Sequence, residues 1–108
     1  MIRQIAPVEL ASWRADPARP APVIVDVREP WEFERCRIEG SLAIPLSQLP
    51  ASRAELPENR ALVLVCHRGA RSQHAAMWLA SNGYPSLHNL RGGIEAWALD
   101  VDPAMPRY

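Results

Sequence analysis

Ala61-Leu62-Val63-Leu64-Val65-Cys66 and the earlier run Val23-Ile24-Val25-Asp26-Val27 are the two most continuous apolar stretches of the chain. Strands that are apolar on both faces are typical of a parallel sheet covered by helices on each side. Each run ends at a polar or reactive residue and is followed by a helix-like stretch, which is the order of a βα unit. The two runs therefore predict the central strands of an α/β fold.

The rest of the chain supplies shorter elements of the same kind. We expect further strands at Ile2–Ile5, Ser41–Ile44 and Ser86–Leu90, and helices at Pro7–Ala15, Pro30–Arg35, Ser72–Asn82 and Gly93–Leu99. Pro7 and Pro30 stand where a first-turn proline is tolerated, because that N–H has no intrahelical partner. Gly83 is placed to end the third helix in a left-handed conformation. Prolines interrupt residues 46–58, which predicts a loop with at most one helical turn.

These elements predict one domain over residues 1–101, with a small parallel sheet flanked by helices on both faces in three layers, α/β/α. Residues 102–108, Asp-Pro-Ala-Met-Pro-Arg-Tyr, are expected to form a frayed, proline-stiffened tail. A chain of 108 residues matches a single domain of ordinary size.

Composition excludes several classes of partner. The 12 basic residues, all arginine, balance 12 acidic ones, so we expect neither nucleic acid nor a membrane surface as a partner. No apolar run approaches the roughly 20 residues that a membrane span needs, and the first residues do not resemble a secretory signal. Two cysteines, Cys36 and Cys66, are too few for a disulfide scaffold, which favours a reducing cytoplasm. Three scattered histidines without a Cys-x-x-Cys motif predict no metal site.

The segment Cys66-His67-Arg68-Gly69-Ala70-Arg71-Ser72 places a thiol after a buried strand and before a predicted helix. Ligands bind at that edge of open α/β sheets. Loop amides that turn inward, the positive end of the helix dipole and two arginines would all favour thiolate over thiol. Gly69 permits the tight turn. The segment therefore predicts a nucleophilic cysteine, against the alternative of a cysteine that merely ends a core strand.

Four motifs in order resemble the rhodanese (sulfurtransferase) family in its small single-domain form. They are the active-site-like Cys66-x-x-Gly69-x-Arg71-Ser72, the earlier Asp26-Val27-Arg28-Glu29-Pro30-Trp31-Glu32-Phe33, Gly40-Ser41 followed by Ile44-Pro45, and the closing Gly83-Tyr84, Leu90-Arg91-Gly92-Gly93 and Trp97. The resemblance covers about residues 2–98. Three residues depart from the family pattern: Cys36 and Arg37 stand where Gly-His-Ile has glycine and histidine, and Ala43 replaces an asparagine.

The resemblance implies a mechanism without metal or organic cofactor. Cys66 would take a sulfane sulfur from a small anionic donor such as thiosulfate, become a persulfide, and pass the outer sulfur to cyanide in an assay or to a thiol or protein in cells. The segment from His67 to Ser72, through Arg68, Gly69, Ala70 and Arg71, would bind the donor: its amides would hold the persulfide charge and its two arginines would attract the anion. Asp26 and Arg28 would support the loop, as a structural ion pair in preference to a substrate contact.

Two other functions remain open from the sequence. One is a non-catalytic rhodanese-like interaction module, although such relatives typically lose the cysteine that this chain keeps. The other is a cysteine-dependent phosphatase or arsenate reductase. Phosphatase loops, however, need five residues between cysteine and arginine, and only four separate Cys66 from Arg71. We expect Cys36 to be a partly buried apolar thiol in preference to a resolving cysteine.

Overall fold

Five parallel strands form one sheet in the computed structural model, which describes residues 1–108. They are β1 (Ile2–Ile5), β2 (Val23–Asp26), β3 (Leu42–Ala43), β4 (Leu62–Val65) and β5 (Leu87–Leu90). The order across the sheet is β1-β5-β4-β2-β3, which places β4 in the centre. The two apolar runs pair directly, with Val23 opposite Leu62 and Asp26 opposite Val65. The predicted α/β class is confirmed.

Helices cover both faces of this sheet. They are α1 (Pro7–Ala15), α2 (Pro30–Arg35), α3 (Leu49–Ser52), α4 (Ala70–Ser81) and α5 (Gly93–Asp100). One core joins α1 and α5 to the sheet through residues such as Leu10, Trp13 and Trp97. The other joins α3 and α4 to the opposite face through Leu49 and Leu79. None of the helices has the length and apolar character that crossing a membrane requires.

Helix α4 begins at Ala70, two residues earlier than the sequence predicts. Gly69 precedes it with φ 108°, a left-handed conformation that reverses the chain within one residue. The turn after β4 is therefore shorter than expected, and Ala70 and Arg71 lie in the first helical turn instead of the loop. At the other end Gly83 has φ 89°, as predicted for the residue that stops this helix.

Residues 46–58 are more ordered than the predicted loop. Helix α3 lies there between two 3₁₀ turns, Leu46–Gln48 and Arg53–Glu55. Leu49 and Leu56 are buried, so the segment is tied to the core at both ends. Its prolines do not prevent this, since Pro50 lies in the first turn of α3, where a missing N–H costs no helical hydrogen bond.

The expectation of a frayed segment at residues 102–108 is wrong. The amide of Asp102 donates to the Trp97 carbonyl at 3.0 Å, which fixes how the chain leaves α5. Met105 is buried in the core beside α1 and α5, and Arg107 pairs with Glu95 of α5. Met105, Arg107 and Tyr108 each have a partner on the domain, which the prolines of this segment do not indicate.

Candidate active site

Cys66 lies at the carboxyl end of the central strand, where the first turn of α5 holds the backbone. The amide of Ile94 donates to the Cys66 carbonyl at 2.9 Å, and the amide of Glu95 donates to the His67 carbonyl at 3.0 Å. Gly93 makes this approach possible, because a Cβ there would stand 2.4 Å from the Cys66 carbonyl oxygen. The start of the cysteine loop is therefore fixed by a helix end that only glycine allows so close.

The Cys66 sulfur has two polar donors. The Gly69 amide donates to Sγ at 3.0 Å, and the Ser72 hydroxyl lies 3.3 Å from Sγ. The amides of Ala70, Arg71 and Ser72, at the start of α4, have no acceptor in the chain. Donors of this kind at a helix start favour negative charge on a nearby group. Residue 66 is only 1 % exposed, so the thiol is buried.

Asn89 fixes both residues that supply those donors. Its carboxamide oxygen accepts from the Ser72 hydroxyl, and its Nδ2 donates to the Gly69 carbonyl at 3.2 Å. The same Nδ2 donates to Gln4 Oε1 at 2.9 Å, which ties the site to the edge strand β1. The Ser72 hydroxyl has one proton for two acceptors, Asn89 and the sulfur. It therefore donates to Sγ only when it leaves Asn89.

The two loop arginines have different surroundings. Arg71 forms a bidentate ion pair with Glu32, with N–O distances of 2.6 and 2.9 Å. This pair lowers the pKa of the Glu32 carboxyl to about 2 and raises the pKa of Arg71. Arg68 is exposed and forms no ion pair. The free positive charge of the loop is therefore that of Arg68.

Asp26 and Arg28 form a buried ion pair beside the loop. Arg28 Nη2 donates to Asp26 Oδ2 at 2.7 Å and Nε to Oδ1 at 2.9 Å, and both side chains are at most 1 % exposed. Burial alone lowers the pKa of Arg28, but the hydrogen bonds to Asp26 and Tyr108 outweigh it, so the pKa is raised. The pair is shielded from solvent.

Tyr108 reaches back to the cysteine loop. Its ring stacks on the His67 ring at a centroid distance of 4.0 Å and an interplanar angle of 13°. Its hydroxyl accepts from Arg28 Nη1 at 2.9 Å and donates to Glu32 Oε2 at 2.8 Å. Burial, together with the hydrogen bond to Glu32, raises the pKa of Tyr108 to about 12. The hydroxyl therefore stays protonated at ordinary pH.

The structure brings three of the predicted site residues together at the sulfur, and three further residues belong to the site. Gly69 and Ser72 contact Cys66 Sγ, whereas Arg71 is paired with Glu32, Arg68 is exposed, and Asp26 and Arg28 stay buried. The missed residues are Glu32, Asn89 and Tyr108. Asn89 had a signal, since it is a polar residue between Leu87 and Leu90 of a buried strand. Glu32 stood in a quoted motif without a role, and Tyr108 had no signal.

The fold and site define a class: a parallel α/β domain that presents a hydrogen-bonded cysteine at the carboxyl end of its central strand. The Rhodanese-like domain family model matches residues 7–100, and the chain belongs to that family. The resemblance that the four motifs carry is thereby confirmed.

Individual relatives agree with this assignment. A sulfurtransferase of Allochromatium vinosum is 41 % identical over 76 residues, covering 70 % of this chain and 71 % of the relative. The chloroplastic rhodanese-like/PpiC domain-containing protein 12 of Arabidopsis thaliana is 36 % identical over 99 % of this chain, which spans only 38 % of that protein. A crystal structure of a rhodanese-like domain protein from Staphylococcus aureus matches with a TM-score of 0.82 at 27 % identity, covering 98 % of each chain.

Proposed function

We propose that this protein is a sulfurtransferase in which Cys66 carries the transferred sulfur as a persulfide. The observation that supports it most is the polar surrounding of a buried thiol: the Gly69 amide at 3.0 Å from Sγ, with three unpartnered amides at the start of α4. A buried apolar cysteine has no need of such donors. The sulfurtransferase among the relatives has the same family fold, which supports the same class of reaction.

In the first step the Cys66 thiolate attacks the outer sulfur of a donor such as thiosulfate. The new bond joins Sγ to that sulfur, the S–S bond of the donor breaks, and sulfite leaves with the electron pair. The product is a persulfide whose charge lies on the outer sulfur. The amides of Ala70, Arg71 and Ser72 are the donors available to that charge, in the manner of an oxyanion hole.

In the second step a nucleophile takes the outer sulfur. Cyanide serves in an assay, and a small or protein thiol is the acceptor class that we propose in cells. The acceptor attacks the outer sulfur, the Cys66 S–S bond breaks, and the Cys66 thiolate is restored. Since residue 66 is 1 % exposed, both steps need an opening at the surface beside Sγ.

Donor binding falls to Arg68 on this proposal. Arg71 is engaged by Glu32, so it contributes a fixed positive charge near the sulfur and is not free to grip an anion. Arg68 is exposed and forms no ion pair. The same engagement of Arg71 argues against phosphatase chemistry, in which the loop arginine must hold the phosphate.

The direct test is the intact mass of the purified protein after incubation with thiosulfate. We expect a gain of one sulfur atom per chain, located at Cys66 by peptide mapping, and loss of that sulfur as thiocyanate when cyanide is added. Cys66→Ser should abolish both results, because a serine hydroxyl does not attack sulfane sulfur near pH 7. Cys36→Ser is the matched control and should leave both unchanged.

Two outcomes would contradict the proposal. An unchanged mass with thiosulfate and with mercaptopyruvate would favour the non-catalytic interaction module. Hydrolysis of an aryl phosphate that disappears with Cys66→Ser would favour the phosphatase class instead.

A further inference from the structure

We propose that Tyr108 is a positioning residue of the cysteine loop: its hydroxyl fixes Glu32, and through it Arg71, while its ring supports His67. The inference deepens the proposed function, because it concerns the same loop. It assigns a role to a residue from a segment that sequence reasoning treated as a tail.

On one side, the Tyr108 hydroxyl is held by Arg28, a buried residue that is itself anchored. It accepts from Arg28 Nη1 at 2.9 Å, and Arg28 is anchored by Asp26 and by the Cys36 carbonyl, to which Nη2 donates at 2.6 Å. Asp26 is the last residue of β2 and pairs in register with Val65, directly before Cys66. The hydroxyl is therefore anchored, through Arg28 and Asp26, to the central strands of the sheet.

On its other side the hydroxyl helps to orient the Glu32 carboxylate. Oε2 accepts from Tyr108 at 2.8 Å and from Arg71 Nη2 at 2.9 Å, while Oε1 accepts from Arg71 Nη1 and from the Glu29 amide at 3.0 Å. Tyr108 and the Glu29 amide each hold one oxygen, so the carboxylate has a single orientation toward Arg71. Arg71 is in the first turn of α4, one residue before Ser72.

The ring of Tyr108 acts at the other end of the loop. It stacks on His67, the residue that follows the nucleophile, and the exposed Trp31 meets it edge-on at 5.7 Å. One residue thus touches His67 directly and Arg71 through Glu32. These two residues bracket the Arg68-Gly69-Ala70 turn that supplies the amide on the sulfur.

Removal of the hydroxyl alone should loosen the loop without unfolding the domain. The fraction of molecules with a competent loop falls, so the apparent affinity for the donor falls by that fraction, and a saturating donor restores it. For Tyr108→Phe we expect the KM for thiosulfate to rise about three- to tenfold, with kcat changed by less than about twofold. A purely structural loss would instead lower the active fraction, and so the apparent kcat, and leave KM unchanged.

Tyr84→Phe is the matched control. Tyr84 is the other tyrosine of the chain and follows the carboxyl end of α4. It is buried, and its hydroxyl lies within hydrogen-bond distance of the Arg53 and Leu56 carbonyls. It loses the same hydroxyl but has no contact with Glu32 or His67. It should lower stability and leave the donor KM at the wild-type value. An equal KM change in both variants, or none in Tyr108→Phe, would overturn the proposal.

A double-mutant cycle tests the route through Glu32. In a Glu32→Gln background, Tyr108→Phe should raise KM by clearly less than it does alone, since contacting residues in one network are not additive. Full additivity would contradict the route.

Amide hydrogen exchange separates failure of this inference from failure of the proposed function. Exchange of the Gly69 and Glu95 amides, which donate to Cys66 Sγ and to the His67 carbonyl, should be faster in Tyr108→Phe than in the wild type or Tyr84→Phe, whether or not the protein transfers sulfur. Unchanged exchange there would refute Tyr108 as a positioning residue, even if Cys66 accepts sulfur normally.

Discussion

The two cysteines of the chain lie in opposite cores of the molecule. Cys66 packs with the residues under α3 and α4, and Cys36 packs with those under α1 and α5. Both are buried: residue 66 is 1 % exposed and residue 36 is 7 % exposed. Burial alone would therefore rank Cys36 as the more accessible thiol.

Their polar surroundings give the opposite ranking. Cys66 Sγ has an amide at 3.0 Å and a hydroxyl at 3.3 Å. Cys36 Sγ has one donor, Arg28 Nη1, at 3.9 Å, and that nitrogen is already bonded to Tyr108 at 2.9 Å. A contact at 3.9 Å stabilises a thiolate much less. Hydrogen-bond donors directed at the sulfur, and not solvent exposure of the thiol, therefore define the site.

The largest effect we expect is in the alkylation rates of these two thiols. At pH 7, iodoacetamide should modify Cys66 on the order of 100-fold faster than Cys36, because the Gly69 amide stabilises negative charge on the Cys66 sulfur and Cys36 has no donor so close. Peptide mass mapping over a time course measures both rates in one sample.

A protein unfolded in urea is the control for that ratio, since both thiols should then react at similar rates. Equal rates in the folded protein would mean that the donors at Cys66 do not activate its thiol, and a faster Cys36 would mean that burial governs the reactivity of both thiols.

We expect a smaller effect when the charge of Arg68, the exposed arginine of the Cys66 loop, is removed. Arg68→Gln removes the unpaired loop charge, so kcat/KM for thiosulfate should fall about two- to fivefold, the range of an exposed charge interaction. The fall should shrink at high salt, where such an interaction is screened.

Arg19→Gln controls for net charge. Arg19 lies over the Trp13 ring in the turn before β2, at the amino edge of the sheet. It should leave kcat/KM unchanged. An equal fall in both variants would mean that only the total charge of the protein matters.

The features of the two cysteine regions that depend on the strands and on local spacing could be predicted from the sequence. The apolar runs at residues 23–27 and 61–66 place Asp26 and Cys66 at the same edge, because the carboxyl ends of parallel strands share it. The predicted start of α4 was two residues too late. Glycine adopts left-handed and right-handed conformations with similar ease, so the sequence did not show that Gly69 would reverse the chain directly before Ala70.

Contacts between distant segments could not be read from the chain. Glu32 with Arg71, Asn89 with Ser72, and Tyr108 with His67 are separated by 17 or more residues, and each pair depends on how the helices settle on the sheet. A polar residue within a buried strand, such as Asn89, is the one local signal that such a partner exists.

Glu32 joins the two regions, and its titration should give the smallest effect. Its backbone carbonyl accepts from the Cys36 amide at 3.3 Å, while its carboxylate holds Arg71 on the Cys66 side. The hydrogen bonds with Arg71 lower its pKa from 4.5 to about 2 in the folded protein. Below about pH 4.5 the Glu32 carboxylate therefore takes up a proton in the unfolded chain but not in the folded protein. The contribution of Glu32 to the free energy of unfolding is fully present above pH 4.5 and is lost as the pH falls toward 2.

Glu32→Gln should consequently lower the free energy of unfolding at pH 6 by about 1 kcal/mol, a modest value because solvent screens the Arg71 side of the pair. Urea titrations at pH 6 and pH 3 should show the gap between wild type and variant narrowing at the lower pH. Glu34→Gln, on the same helix but exposed and without an ion pair, should show no such convergence. A gap that stays constant between the two pH values would mean that the Glu32 carboxylate does not hold Arg71.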